Sequence, residues 1–176
     1  MRQIANGQIQ GTFFGQSIAQ RQKKTDKLKA RHDEVVRHED AHYRKAAEHG
    51  LEVQSPVLSD WVEGPDGKQY ATGGHVMIGT GTTGNPMEDM KRGRGMVEAA
   101  EAPLSVDSEL SDADKQSAAR GRAIIAANEP KAQRLQEFKS NLKNSGFTLP
   151  PSMVKSMVAG LGLDIPQGQL MDLAGV

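Results

Sequence analysis

The feature that most constrains the fold is a long segment, residues 26–49, that contains neither glycine nor proline. Apolar side chains recur within it at helical spacing, and Gly50 follows at its end. Such periodicity with a terminal glycine is typical of an amphipathic helix and its stop signal. The segment therefore predicts one helix of about six turns, with Leu28, Val35, Tyr43 and Ala46 within one apolar arc and Val36 and Ala47 also at roughly helical spacing.

The same helix contains the sequence H-E-x-x-H, formed by His38, Glu39 and His42. Residues four apart lie one above the other on a helix, so both imidazoles could bind one metal ion, with the glutamate within reach of a water on it. At 100° per residue, Glu39 falls inside the apolar arc and His42 at its edge. A carboxylate there is costly unless a charged or hydrogen-bonding group meets it. The pattern favours a metal centre over the alternative, a solvated His/Glu face.

The composition limits where a third ligand could come from. Cysteine is absent, which excludes disulfides, thiol catalysis and cysteine-bound zinc, and all five histidines lie between residues 32 and 75. We favour His75, because the preceding Gly73-Gly74 allows a strand to approach the helix closely. Glu98 on the following helix and His49 at the end of the first are alternatives, although His49 better fits a role at the helix end. His32 better fits packing or a hydrogen bond.

The remaining segments predict a small sheet followed by further helices. The turn Gly64-Pro65-Asp66-Gly67 separates two runs of strand-forming residues and predicts a hairpin, with a further strand over residues 75–78. Asn85 and Ser111 are helix N-caps, and Pro130 is expected to begin another helix. The predicted fold is α+β and mostly helical: a long HExxH helix packed on a small β-hairpin sheet, followed by two or three helices.

The chain divides into three predicted parts: a flexible leader (residues 1–25), a domain (residues 26–144) and a C-terminal tail (residues 145–176). The tail contains a candidate short helix at 153–161 and could dock on a protein partner. Only 36% of residues are apolar, and the 22 basic residues balance the 22 acidic ones. The basic stretch 21–31 has no interleaved aromatics, which disfavours nucleic acid as a partner. No apolar run is long enough for a membrane span, and the absence of cysteine and of a signal peptide predicts a cytoplasmic location.

Several strings together resemble the SprA-related family of bacterial zinc metalloproteases. The resemblance covers roughly residues 34–130 and is carried by residues 34–42 (EVVRHEDAH), 64–74 (GPDGKQYATGG), 85–88 (NPME) and 99–103 (AAEAP). One position departs from the family pattern, in which an acidic residue usually follows the two glycines, because this chain has His75 there.

The resemblance implies a zinc-dependent, zincin-like enzyme that hydrolyses a peptide or protein substrate. By that resemblance, His38 and His42 are Zn²⁺ ligands and Glu39 is the general base. The expected function is therefore a zinc metallopeptidase. The alternative is a non-catalytic interaction or assembly protein that retains the metal-binding scaffold.

Overall fold

The computed structural model describes residues 6–146, 148–163, 165 and 167–174. The helices among them are α1 (Asn6–Glu48), α2 (Pro86–Glu101), α3 (Asp112–Ser145), α4 (Pro151–Gly160) and α5 (Gln167–Ala174), with a short 3-10 helix (Ala102–Val106) after α2. Two strands, β1 (Val57–Glu63) and β2 (Gln69–His75), form one antiparallel sheet. The predicted α+β, mostly helical fold is confirmed.

Helix α1 presents the predicted apolar stripe. Its buried side chains recur along one face at Val35, Glu39, His42 and Ala46, so the motif glutamate and second histidine do lie within the buried arc. Gly50 follows with φ of 65°, the left-handed conformation that ends helices. The helix also runs back through residues 6–25, where we expected a flexible leader, and the side chains of residues 17–24 are all exposed.

The hairpin is confirmed, with Trp61 opposite Ala71 and Val62 opposite Tyr70. Gly67, at φ of 75°, completes the predicted turn. The further strand predicted over residues 75–78 is wrong, because His75 is the last residue of β2 and Ile78 makes only an isolated bridge to Val53. The segments around Val53 and Ile78 meet over too few residues to form a ladder, although the backbone N–H of Gly79 donates to Glu52 O at 2.7 Å.

Helices α2 and α3 begin at the predicted caps. The Asn85 side chain accepts from the backbone of Met87 and Glu88, and Ser111 forms a capping box with Asp114. The helix boundary predicted at Pro130 is wrong, because α3 continues through it. An internal proline removes one backbone hydrogen bond, but buried residues anchor the helix on both sides of it, at Gly121 and Leu135.

Backbone contact joins α2 to α3. A Cβ on Gly93 would lie 2.8 Å from the carbonyl oxygen of Gly121, and one on Gly121 would lie 2.7 Å from that of Gly93. The two glycines therefore permit a separation that no larger residue would allow. Beside this crossing, α1 and α2 share a small apolar cluster of Ala46, Leu51, Met96 and Ala99.

The C-terminal tail folds onto the far end of α3. Its buried side chains cluster with Leu135, and Phe138 packs against them. The cluster contains Val154, Val158, Leu163, Ile165, Leu170 and Leu173. The short helix expected at 153–161 corresponds to α4. No helix in the described part of the chain is long and apolar enough to cross a membrane.

Candidate metal centre

Three side chains converge where α1 faces the first turn of α3. The Nε2 atoms of His38 and His42 lie 3.1 Å apart. Asp114 places Oδ2 at 3.3 Å from the first of these nitrogens and Oδ1 at 3.1 Å from the second. Each residue offers one ligand atom, and all three atoms lie within 4.8 Å of one another.

These separations match the spacing of ligands around a single small cation. A tetrahedral zinc ion with bonds of about 2.0–2.2 Å holds its ligand atoms about 3.3–3.5 Å apart. The two imidazole nitrogens lie 3.1 Å apart, and each lies 3.1–3.3 Å from a different oxygen of Asp114, slightly below that spacing. Two imidazoles and one carboxylate are also a donor set that zinc uses in catalytic sites, where a fourth position stays open.

The hydrogen bond on the far side of His42 shows that this cluster requires a positive charge. His42 Nδ1 lies 2.8 Å from the carbonyl oxygen of Ala99, which can only accept, so Nδ1 carries a proton. In a neutral ring Nε2 would then present its lone pair to the Asp114 carboxylate at 3.1 Å, which is repulsive. With Asp114 ionised, either a second proton on His42 or a metal ion must lie between them.

The protonation preferences agree with that reasoning. Burial favours a lower pKa for His42, but the hydrogen bonds to Asp114 and Ala99 outweigh it and raise the pKa of this imidazole. Burial alone would raise the pKa of Asp114, but hydrogen bonds from His42 and Ser111 outweigh it and lower the pKa of this carboxyl to about 2. The pKa of His38 is lowered, first by burial and then by the neighbouring His42. Asp114 is therefore ionised and His38 neutral at pH 7, as metal ligands must be.

The first turn of α3 fixes the position of Asp114. Its backbone N–H donates to Ser111 Oγ at 3.1 Å, and its Oδ2 accepts from the Ser111 backbone N–H at 2.7 Å. Asp114 is thus both the third residue of a capping box and a neighbour of the two histidines.

Glu39 lies beside this cluster without a hydrogen-bond partner for one of its oxygens. The side chain is 4% exposed, and Oε2 is buried and unpaired among the described residues. Burial raises the pKa of Glu39 above its ordinary value. Gly74 packs directly against it, since a Cβ there would lie 2.8 Å from Glu39 Cγ. The expectation that a glycine lets the strand approach the helix is confirmed at this residue.

The structure does not bring His75 into the three-residue group. It is exposed at the end of β2, although it lines the same cleft as His38, His42 and Asp114. That His75 is a ligand stays a prediction, and the geometry favours Asp114 in its place.

The other histidines have structural partners. His49 Nε2 lies 2.9 Å from Glu98 Oε2, so these two alternative ligands pair with each other. His32 Nδ1 accepts from the Ala71 backbone at 3.1 Å and packs near Trp61 and Tyr70, which matches the role expected for it.

Sequence reasoning missed Asp114. The S-x-x-D pattern at Ser111 and Asp114 indicates a capping box, and that local role accounts for the aspartate without reference to a metal. Its nearness to His38 and His42 depends on how α3 crosses α1, which no local pattern specifies.

A cleft of about 530 Å³ opens over the three ligand candidates and Glu39. One wall is the end of β2 with the residues after it, and the other is the segment from Ser108 to Ser117. The site is therefore open to a ligand from solvent.

The comparisons with known proteins identify the family. The chain folds as a long helix bearing H-E-x-x-H against a hairpin and a helical pair, and it belongs to the SprA-related family, whose match covers residues 3–142. A search of curated proteins finds no match. A search of solved structures finds none either.

Proposed function

We propose that this protein is a zinc-dependent metallopeptidase. The observation that carries the proposal is the joint placement of His38, His42 and the Asp114 carboxylate around one point that requires a positive charge. The buried carboxylate of Glu39 beside them, whose Oε2 has no hydrogen-bond partner among the described residues, supplies the base that hydrolysis needs.

The three residues would hold Zn²⁺ through Nε2 of each histidine and one Asp114 oxygen. When bound, zinc lowers the pKa of a water molecule toward about 7 and polarises a carbonyl oxygen. The chain's own groups set part of the geometry, because the Ala99 carbonyl accepts from His42 Nδ1 and orients that imidazole.

Glu39 would accept the proton of the attacking water and return it to the leaving amine. Its raised pKa suits both steps, since a carboxyl group that titrates closer to neutrality both accepts and donates protons effectively. Gly74 lets β2 lie against this side chain, because any larger residue there would collide with Glu39. A peptide or protein bound in the cleft would lie against Glu39 and the end of β2.

A non-catalytic interaction protein with the same metal site is the second candidate. It is favoured by three exposed methionines on the C-terminal helices, Met153, Met157 and Met171, which are 39–52% exposed. Flexible methionine side chains adapt to the surfaces of partners. This candidate predicts zinc binding without hydrolysis.

The first test is metal content, measured by mass spectrometry on protein purified without an affinity tag. We expect close to one zinc per chain after zinc is offered and excess is removed. Less than a tenth of an equivalent would refute both the site and the proposed activity.

Two variants separate the ligand role of Asp114 from its capping role. Asp114→Ala should lose zinc, whereas Ser111→Ala, which breaks the same capping box and leaves the carboxylate in place, should keep it. Wild-type zinc content in Asp114→Ala would remove Asp114 from the ligands.

Glu39→Gln tests catalysis. In a zinc-loaded assay on a mixed peptide library, this variant should bind zinc and cleave nothing, because the amide cannot accept the proton. Retained cleavage would exclude Glu39 as the base, and absence of cleavage in the wild-type protein would favour the interaction role.

A further inference from the structure

The two candidate histidine ligands differ in the group that contacts Nδ1, the ring nitrogen that faces away from the metal site. His42 Nδ1 donates to the backbone carbonyl of Ala99, a group that any residue at position 99 would supply. His38 Nδ1 instead lies 2.9 Å from the side-chain oxygen of Ser108. The orientation of His38 therefore depends on one side chain, and that side chain can be removed by substitution.

The backbone around Ser108 fixes this hydroxyl in place. The 3-10 helix is followed by Asp107, whose φ of 55° and ψ of 35° are left-handed, a conformation unusual for a residue other than glycine. The backbone N–H groups of Asp107 and Ser108 both donate to the carbonyl of Pro103, which is fully buried. Ser108 itself is 7% exposed. The side chain is thus anchored within the protein and is not a mobile surface serine.

We propose that Ser108 is a positioning residue for the metal centre. A histidine that binds a metal through Nε2 carries its ring proton on Nδ1, and a partner on Nδ1 fixes both this tautomer and the plane of the ring. Ser108 accepts that hydrogen bond and so holds His38 Nε2 toward His42 and Asp114. The inference rests on the proposed function, because it assigns a residue to the same zinc site.

The test is the zinc dissociation constant, measured by competition with a chromophoric chelator. Ser108→Ala should weaken zinc binding by about 10–100-fold, as is usual when the outer partner of a ligating histidine is lost. Ser105→Ala is the matched control, since Ser105 lies three residues before Ser108, in the preceding 3-10 helix, and donates to the Ala102 carbonyl. Its zinc affinity should equal that of the wild-type protein.

A second pair of variants isolates the hydroxyl from the shape of the side chain. Ser108→Thr and Ser108→Val have nearly the same shape, and only threonine keeps the hydroxyl. We expect the threonine variant to bind zinc more tightly than the valine variant by a similar factor of about 10–100. Equal affinities in this pair would overturn the proposal even if Ser108→Ala failed to fold.

A double-mutant cycle shows whether Ser108 acts through His38. In a His38→Ala background, Ser108→Ala should cause no further loss of zinc affinity. An equal loss in both backgrounds would assign Ser108 a general structural role and overturn the proposal. Covalent labelling of Ser108 by a fluorophosphonate would also overturn it, by showing a nucleophilic serine.

The outcomes separate this inference from the proposed function. If the wild-type protein binds no zinc, both are refuted together. If it binds zinc tightly and Ser108→Ala binds it equally well, the positioning role alone is refuted.

Discussion

Replacing Gly74 by alanine probes the contact between β2 and the candidate catalytic glutamate. The added methyl group would lie 2.8 Å from Cγ, 3.0 Å from Oε1 and 3.1 Å from Cδ of Glu39. Carbon atoms in contact prefer about 3.5–4.0 Å. Glu39 or the strand would therefore have to shift by roughly 0.7–1.2 Å. Glu39 is 4% exposed, so it cannot avoid the methyl group by turning into solvent.

Two effects should follow from that shift. Overpacking a buried site typically costs about 1–3 kcal/mol of folding free energy. Moving a catalytic group by about 1 Å typically lowers the rate of reaction by about 100-fold. Zinc content should stay at the wild-type level, because the two histidines are held by Ser108 and Ala99 rather than by Gly74.

The assay combines urea unfolding, zinc content and cleavage of a peptide library for Gly74→Ala. Gly81→Ala is the control, since nothing lies within 4 Å of a Cβ added at that loop position. We expect the control to match the wild-type protein in all three measurements. A Gly74→Ala protein with wild-type stability and activity would refute the predicted collision with Glu39. A variant that lost its zinc would show that β2 helps to hold the ligands.

Three further predictions concern the scaffold and the protonation of the site. Gly93→Ala should lower the free energy of unfolding by about 1–3 kcal/mol in a urea titration, because its methyl group would lie 2.8 Å from the backbone oxygen of Gly121; unchanged stability would contradict the close helix crossing. The pKa of Asp114 is lowered from 3.8 to about 2, so in the metal-free protein its ionised form contributes stability above pH 3.8 that is lost as the pH falls toward 2. We expect the difference in the free energy of unfolding between wild type and Asp114→Asn to shrink by about 1–2 kcal/mol over that pH interval, where the lower figure allows for solvent screening. A difference that does not change with pH would argue against the ionised pair of Asp114 and His42. His49→Ala should change stability by less than about 1 kcal/mol and leave zinc content unaltered, because the exposed pair with Glu98 lies outside the ligand group; loss of zinc would place His49 among the ligands.

Features set by local sequence could be predicted. The stripe containing Val35 and Glu39, the caps at Asn85 and Ser111 and the turn ending at Gly67 depend on neighbouring residues, and the structure confirms them. Even the approach of β2 to α1 could be anticipated, because paired glycines leave a strand free to lie close to a helix.

Features set by packing between distant segments could not be predicted. Pro130 signals a helix start locally, but the burial of Leu135 beyond it keeps α3 continuous. The third member of the metal group, Asp114, lies on α3. Its role in the capping box explains the residue locally, so the sequence gives no sign that it also lies beside the two histidines. The five histidines between residues 32 and 75 favoured His75 as the third ligand, whereas the structure places the Asp114 carboxylate beside the two imidazoles.

Diffraction at the zinc absorption edge from crystals of the zinc-loaded protein would show directly whether His38, His42 and Asp114 bind one zinc ion. We predict one anomalous peak within about 2.0–2.2 Å of His38 Nε2, His42 Nε2 and an Asp114 carboxylate oxygen. A peak coordinated by His75 in place of Asp114, or a peak away from the two histidines, would contradict it.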